Sequence, residues 1–300
     1  RARLRELVPA AANVAMIGID ADVATRRLEQ AIAPWLEHMR WRADFERWRE
    51  RRINQERYQQ DRLQQVEQIA GPLDRQAILD VGAGMGGFAV AAALRGAAVA
   101  ACEFNRAYCT IIRLRAARHG VHVPVYNAAG ESLPFADGSF STIVSWDVIE
   151  HVRSPSAMLA EFRRVLLPGG AALVTAINRW AWKDPHYHIR GLNWLPRSWA
   201  EALIDRRGRS KQGVAFQDMQ RLSEMHYFGY PSFVRLARQH GFRVYDLKEA
   251  ELRAGRLHSP KRTRRLIRTL LRSLGLERVT YRAQRRWYAG MFELALVREG

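Results

Sequence analysis

The most regular hydrophobic pattern in the chain begins near residue 77 and describes a strand, a turn and a helix. Residues 78–81 form a short apolar run that contains one carboxylate, Asp80. A turn with glycines at positions 82, 84, 86 and 87 follows, and residues 88–94 continue as an apolar run. A short apolar run bounded by turn residues is typical of a buried strand. The order predicts one β-α unit.

The same alternation of strand and helix continues to about residue 180. Residues 98–103 predict a second strand, residues 141–146 a fourth and residues 171–177 a fifth. Beyond residue 230, the pattern predicts a helix over 232–240 and a strand in the stretch 241–245. Strands that alternate with helices favour an α/β fold with a mostly parallel sheet.

The glycine-rich turn is a candidate site for a nucleoside cofactor. Glycine accepts positive φ and lets a ligand approach the backbone closely, and open α/β sheets bind ligands at the carboxyl ends of their strands. About 20 residues further on, such a site needs a carboxylate for the ribose hydroxyls, and Glu103 ends the second predicted strand. Gly82, Gly84 and Gly87 also fit the dinucleotide spacing, so the glycines alone leave NAD as an alternative.

The run from Ile78 to Gly86, Ile-Leu-Asp-Val-Gly-Ala-Gly-Met-Gly, resembles the first motif of the class I S-adenosylmethionine-dependent methyltransferases. The distinguishing residue is Asp80, two positions before the first glycine. The resemblance implies a Rossmann-like sheet of seven strands, mostly parallel with an antiparallel last strand, for which residues 291–297 are suited. It also implies S-adenosylmethionine as cofactor and S-adenosylhomocysteine as product. Asp80 would complement the positive charge of the cofactor's methionine end.

Three later segments, in the expected order, extend this resemblance. Residues 131–140 are similar to the loop before the fourth strand in the subfamily that contains quinone and small-molecule methyltransferases. Residues 147–152 resemble the next segment, whose Glu-His pair faces the cofactor pocket. Residues 162–170 resemble a helix and turn before the fifth strand. The residues expected to bind the cofactor are Asp80, Gly82, Ala83, Gly84, Gly86, Glu103, Phe104, Asn127, Glu131 and Asp147.

One position departs from the family pattern. Many relatives carry an Asp that binds the adenine amino group where this chain has Ala129. Asn127 or a backbone carbonyl is the expected substitute.

We divide the chain into four parts. Residues 1–75 are predicted to be a helical extension, and residues 76–180 the cofactor-binding core. Residues 181–230, rich in Trp, His and Tyr, are predicted to be an insert that recognises the substrate. Residues 231–300 are expected to complete the core, with a basic helical insertion at about 253–286.

Positive charge is concentrated in that insertion. The net charge of the 300-residue chain is +18, and residues 253–286 contain 12 basic side chains and a single acid, Glu277. A helix is predicted to start at Ser259–Pro260, with leucines at helical spacing among arginines up to residue 274. Three interpretations are open: a helix that packs its leucines on the sheet, an anionic membrane surface bound through residues 259–274, and nucleic acid, the least favoured partner.

Neither a secretory signal nor a membrane-spanning stretch is evident in the sequence. Cys102 and Cys109 are expected to be buried thiols rather than a disulfide. We therefore expect a cytoplasmic enzyme, peripheral to the inner face of the membrane if the basic helix binds lipid. The sequence carries no signal for the oligomeric state.

Methyl transfer to a hydroxyl needs a base, and histidine is the side chain best suited to that role near neutral pH. The candidate catalytic residues are His151, His186, His188 and His226. Asp184, His186 and His188 are too closely spaced to define a metal site, so no metal is predicted. The preferred acceptor is a sugar hydroxyl of a polysaccharide, lipid-linked glycan or related small molecule. The alternative is a quinone or aromatic natural product, and an RNA methyltransferase or nucleic-acid-binding protein is less favoured.

Overall fold

A computed structural model describes residues 20–208, 221–256 and 262–300 of the chain. Within these ranges, seven strands form one sheet in the order β3-β2-β1-β4-β5-β7-β6. The strands are β1 Ala77–Val81, β2 Ala98–Glu103, β3 Val125–Asn127, β4 Phe140–Ser145, β5 Leu166–Ile177, β6 Phe242–Asp246 and β7 Met291–Arg298. Strand β7 runs antiparallel to β5 and β6, and the pairs among β1 to β5 are parallel. The predicted Rossmann-like sheet with an antiparallel last strand is therefore confirmed.

The described helices cover both faces of this sheet. They are α1 Ala21–Leu36, α2 Phe45–Ile53, α3 Gln60–Ala70, α4 Gly87–Leu94, α5 Arg106–Arg118, α6 Pro155–Val165, α7 Arg197–Arg206, α8 Tyr230–Gln239, α9 Leu247–Arg253, α10 Arg262–Ser273 and α11 Glu277–Trp287. Residues of β1 alternate between two apolar clusters: Leu79 packs with α6 and α8, whereas Ile78 packs with α3 and α4. The alternation follows from the two-residue repeat of a strand. It explains why all five residues of β1 are buried.

The N-terminal helices are tied to the glycine-rich turn by a buried arginine. Arg115 of α5 is fully buried and forms an ion pair with Glu56. Its Nε also donates a hydrogen bond to the carbonyl of Met85, inside the turn. Since a buried charge is tolerated only when it is paired and hydrogen-bonded, this arrangement fixes the turn against the segment that follows α2.

The start of the fifth strand differs from the prediction. Strand β5 begins at Leu166, directly after α6, whereas the sequence predicts a helix and turn over residues 162–170 and a strand from residue 171. Leu166 pairs with Phe140, and the register shifts before Thr142 pairs with Ala171. Gly169, at φ +76°, lies in the irregular stretch. The Pro-Gly-Gly sequence is therefore accommodated inside the strand as an irregularity.

The connection between β6 and β7 contains α9, α10 and α11, in the region predicted to be a basic insertion. Helix α11 is anchored to the sheet, since Arg285 forms ion pairs with Asp246 and Glu249. Helix α10 is different: Leu266 is 72% exposed and Leu270 is 60% exposed. The interpretation that these leucines pack on the sheet is therefore wrong. The predicted helix start at Ser259–Pro260 lies outside the described residues.

Candidate functional site

The glycine-rich turn after β1 combines left-handed backbone with close packing on one side and open space on the other. Gly82, Gly84 and Gly86 have φ values of +68°, +55° and +78°. A Cβ at Gly82 would lie 2.3 Å from Val148, whereas a Cβ at Gly84 would meet nothing within 4 Å. The turn therefore packs against the segment after β4 at Gly82 and presents bare backbone at Gly84. Ala83 lies between these two glycines, and its N–H donates to the carbonyl of Cys102 at 3.2 Å.

Glu103, at the end of β2, faces this turn. One carboxylate oxygen accepts a hydrogen bond from the N–H of Gly84 at 2.7 Å, and the other accepts from the N–H of Asn105 at 2.9 Å. Each carboxylate oxygen can accept more than one hydrogen bond. Glu103 is therefore held at the turn by the backbone, in the place where a ribose-binding carboxylate is expected.

Asp80 is buried beneath the turn, at 3% exposure. Among the described residues, no donor forms a hydrogen bond with its Oδ2 atom. Burial raises the pKa of the Asp80 carboxyl to about 7, although the charge of Arg62 opposes this shift. The N–H of Ala89 donates a hydrogen bond to this carboxylate, but one oxygen stays unpaired within the described part of the chain. An incompletely paired buried carboxylate is costly, so the site favours a ligand with a cationic group near Asp80.

Two further candidates lie at the ends of β2 and β3. Phe104 is 66% exposed next to Glu103, where its ring is accessible to a flat ligand. Asn127 uses its side-chain amide to donate hydrogen bonds to the carbonyls of Glu103 and Phe104, and its oxygen accepts from Arg106. Asn127 therefore joins the two strand ends, and its side-chain polar atoms are already used within the protein.

Glu131 and Asp147 form contacts within the protein that the sequence does not indicate. Glu131 accepts hydrogen bonds from the N–H groups of Arg153 and Ser154, just before α6. Asp147 has φ +59°, and its N–H donates to the hydroxyl of Thr175. The Thr175 hydroxyl in turn donates to the Asp147 carboxylate at 3.1 Å. Both side chains therefore contact the loops around the turn, and their binding to the cofactor stays a prediction.

Two of the four candidate histidines come together with Glu150 after β4. The His151 and His186 rings lie 5.1 Å apart, and His186 Nε2 is 3.6 Å from Glu150 Oε1. Glu150 is 1% exposed, and both of its carboxylate oxygens lack a hydrogen-bond partner among the described residues. Because Val148 packs on Gly82, the segment that carries this trio lies against the glycine-rich turn.

The other two candidate histidines do not belong to this trio. His226 is its neighbour, because its backbone N–H donates to the carbonyl of Glu150, and it lines an adjoining cavity of about 670 Å³. His188 is exposed and has φ +56°.

The site thus fits S-adenosylmethionine on two structural grounds. The buried Asp80 carboxylate, one of whose oxygens has no hydrogen-bond partner among the described residues, matches a cationic ligand group, and the open backbone at Gly84 faces a carboxylate suited to ribose. A model of the methyltransferase domain family matches residues 79–174, which span the turn, β2 and the Glu150–His151 pair. Residues 79–174 form a methyltransferase domain.

Curated proteins similar to this methyltransferase domain are ubiquinone biosynthesis O-methyltransferases. The protein of Alkalilimnicola ehrlichii is 33% identical over 119 residues, which is 39% of this chain and 48% of that protein. The protein of Dinoroseobacter shibae is 32% identical over 108 residues, 36% of this chain and 44% of that protein. The chain therefore spans about half the length of these relatives.

Among solved structures, phosphoethanolamine N-methyltransferase 2 of Haemonchus contortus, in complex with S-adenosylmethionine, has the same fold. Its TM-score is 0.50 at 19% identity, with 80% of this chain and 53% of that chain covered. At this identity the likeness concerns the fold alone.

Glu150 is not among the predicted site residues, although the family resemblance places the Glu-His pair at 150–151 facing the cofactor pocket. Its partner His186 is distant in the sequence, so the pattern does not predict the trio. Asp184, two residues earlier, is fully buried and accepts hydrogen bonds from the N–H groups of His186 and Tyr187. Asp184 thus shapes the loop that brings His186 to Glu150.

No metal is predicted from the sequence, and that remains a prediction. One ligand atom each from Glu150, His151 and His186 lies within 4.8 Å of the others. Imidazole and carboxylate groups suit divalent cations. The same trio can therefore act as an acid–base group or bind a cation, and a chelator distinguishes the two uses.

Proposed function

We propose that this protein is an O-methyltransferase that methylates a phenolic hydroxyl of a quinone precursor or related aromatic molecule. The observation that carries the proposal is the Glu150–His151–His186 trio, packed beside a turn that fits S-adenosylmethionine. The names of the curated relatives support the aromatic acceptor over the sugar hydroxyl that the sequence favours.

The trio suits removal of a proton from an acceptor hydroxyl. An imidazole of the trio accepts this proton as the acceptor oxygen forms its bond to carbon, and the Glu150 carboxylate stabilises the resulting positive charge. Bound S-adenosylmethionine supplies the electrophilic methyl group and a neutral thioether as leaving group. The rest of the site contributes alignment, which accounts for a large part of the rate enhancement in such displacements.

The test is methyl transfer from labelled S-adenosylmethionine to a panel of acceptors. We expect catechol and 3,4-dihydroxybenzoate to be methylated on oxygen and simple sugar glycosides to remain unmodified. Mass spectrometry of the products identifies the methylated atom. Transfer to sugars alone would contradict the aromatic acceptor, and tight cofactor binding without transfer to any hydroxyl would contradict O-methylation.

We also propose that α10 and α11 bind an anionic membrane surface. Leu266, Ile267, Leu270 and Leu274 of the α10 region are exposed, and so are Val279 and Trp287 of α11. The same two helices also carry exposed arginines: Arg272 on α10, and Arg278 and Arg286 on α11. Among the described residues, no helix is long and apolar enough to cross a bilayer. Exposed apolar side chains among cations favour a lipid surface as the partner, because an apolar face can enter the lipid. Nucleic acid is less favoured, because its binding requires the cations but not the apolar side chains.

Sedimentation with vesicles tests this surface. We expect binding to phosphatidylglycerol-containing vesicles and a loss of about tenfold or more in Leu266→Gln/Leu270→Gln, because burying each leucine contributes roughly 1.5–3 kcal/mol. Leu94→Gln, at another exposed leucine, is the matched control and should bind as the unaltered protein does. Equal binding of all three proteins, or binding to RNA alone, would contradict the proposal.

A further inference from the structure

The cavity that adjoins His226 is unusual in its charge. Its wall is formed by the residues after β5, the start of α7, the segment 225–232, α8 and the end of α11, and its volume is about 670 Å³. Four arginines line it: Arg179, Arg197, Arg235 and Arg286. No aspartate or glutamate is among the described lining residues. We call this space the arginine cavity.

In the described part of the chain, these four guanidinium groups are not in direct contact with a carboxylate, although the charges of Asp184 and Glu201 act on Arg197 from a longer distance. Within residues 20–208, 221–256 and 262–300, none of the four forms an ion pair with an acidic side chain, whereas the neighbouring Arg285 binds both Asp246 and Glu249. Like charges around one cavity repel each other, and a bound anion relieves that repulsion.

Arg197 has a buried nitrogen that lacks a hydrogen-bond acceptor. Its Nη1 atom is buried and has no hydrogen-bond partner among the described residues. The guanidinium group lies 4.7 Å from the centroid of the Tyr227 ring, which holds it against the cavity wall. Burial lowers the pKa of Arg197, and the charge of Arg179 lowers it further. A buried donor without an acceptor is costly, so a ligand that supplies an oxyanion stabilises this wall.

The rest of the lining is aromatic. Trp180 and Trp287 face each other with ring centroids 5.7 Å apart, and Tyr227, Phe228 and Tyr230 also line the cavity. Aromatic rings stack on flat apolar groups. The matching ligand therefore combines an acid group with an apolar or aromatic body.

Tyr227 connects this cavity with the trio after β4. Its ring centroid lies 6.4 Å from that of His186, while Arg197 packs on the same ring. The adjacent His226 N–H donates to the Glu150 carbonyl at 2.9 Å. The Tyr227 ring therefore lies between Arg197 of the cavity and His186 of the trio, and one side chain separates the two sites.

We infer that the arginine cavity binds the oxyanionic group, a carboxylate or a phosphate, of the methyl acceptor, with Tyr227 between that group and the reacting hydroxyl. This inference rests on the proposed function, because it names the acceptor as an acidic aromatic or amphiphilic molecule. Arg197 is the specificity-determining residue, and Arg235 adds charge from α8.

Calorimetric titration of the full chain with benzoate, phenyl phosphate and neutral benzamide tests the inference. We expect benzoate or phenyl phosphate to bind and benzamide to bind at least tenfold more weakly. The preferred anion identifies the acid group as carboxylate or phosphate. Arg197→Gln and Arg235→Gln should each weaken anion binding about tenfold, the scale of a lost charge-assisted hydrogen bond.

Arg238→Gln is the matched control, because Arg238 is exposed on the same helix as Arg235 and does not line the cavity. It should change anion affinity by less than about twofold, and circular dichroism shows that each variant is folded. Equal binding of benzamide and benzoate, or an equal loss in Arg238→Gln, would overturn the inference. S-adenosylmethionine is titrated separately: loss of cofactor binding with intact anion binding would refute the proposed function and leave the anion site standing.

Discussion

Glu150→Gln and His186→Asn are expected to reduce kcat by about 10² to 10⁴-fold while the Kd for S-adenosylmethionine stays within about twofold. That range is the usual contribution of a positioned acid–base group. Glu150 Oε1 lies 3.6 Å from His186 Nε2, so removal of either charge leaves the other without its partner. Single-turnover kinetics with labelled cofactor measure the chemical step, and calorimetry measures cofactor affinity.

His122→Asn is the control for this prediction, because His122 is exposed in the loop before β3. It should retain kcat and its pH profile. A second arm uses a chelator on the unaltered protein. Activity that disappears with the chelator and returns with a divalent cation would mean that Glu150, His151 and His186 act as ligands. Unchanged kcat in both variants would remove the trio from the mechanism.

Affinity for S-adenosylmethionine is expected to rise about tenfold between pH 6 and pH 8. The pKa of Asp80 is raised by burial to about 7, so its carboxyl is mostly neutral at pH 6 and mostly ionised at pH 8. The cofactor is cationic and binds the ionised form better, so affinity increases with pH through about 7 and then levels off. The raised pKa of Asp80 has the opposite effect on folding stability, which decreases as the pH rises. The stabilising contribution of the protonated carboxyl is complete below its unfolded pKa of about 4 and is lost as pH rises through 7.

Asp80→Asn should remove this pH dependence and weaken cofactor binding about tenfold to a hundredfold, the scale of a hydrogen bond to a charged group. Asp61→Asn, at an exposed position on α3, is the matched control and should keep the slope. Calorimetry at several pH values measures both quantities. If Asp80→Asn retains the full pH dependence of cofactor affinity, another group causes that dependence, and Asp80 does not bind the cationic part of the cofactor.

Several elements of the sheet follow directly from the sequence pattern. The run at 78–81 is buried on both faces of the sheet, and its neighbours in the sheet are strands that the same pattern predicts. Strand β7 starts at the predicted Met291. The helices after β6 are harder to interpret, because leucines at helical spacing indicate an apolar face but not what that face contacts. Exposure of Leu266 and Leu270 is decided by where α10 lies relative to the sheet.

The role of a polar residue could be predicted from the sequence only where regular strand pairing determines its position. Glu103 lies beside Gly84, because parallel pairing of β1 and β2 brings one strand end next to the other. Glu131 and Asn127 are predicted to contact the cofactor, and the structure adds hydrogen bonds from their side chains to nearby protein groups. Such hydrogen bonds depend on loop paths that a linear pattern does not contain.

The sequence by itself determined the fold class and the cofactor turn. Both depend on short-range rules, namely the two-residue repeat of strands, the φ values that glycine allows, and a carboxylate near the end of a strand. The tertiary structure alone decided the acceptor side. It brings His186 to Glu150 from 36 positions away, and it gathers Arg179, Arg197, Arg235 and Arg286 around one cavity. Those groupings arise from how the loops fold over the sheet, since contacts between distant residues are set by packing rather than by spacing along the chain.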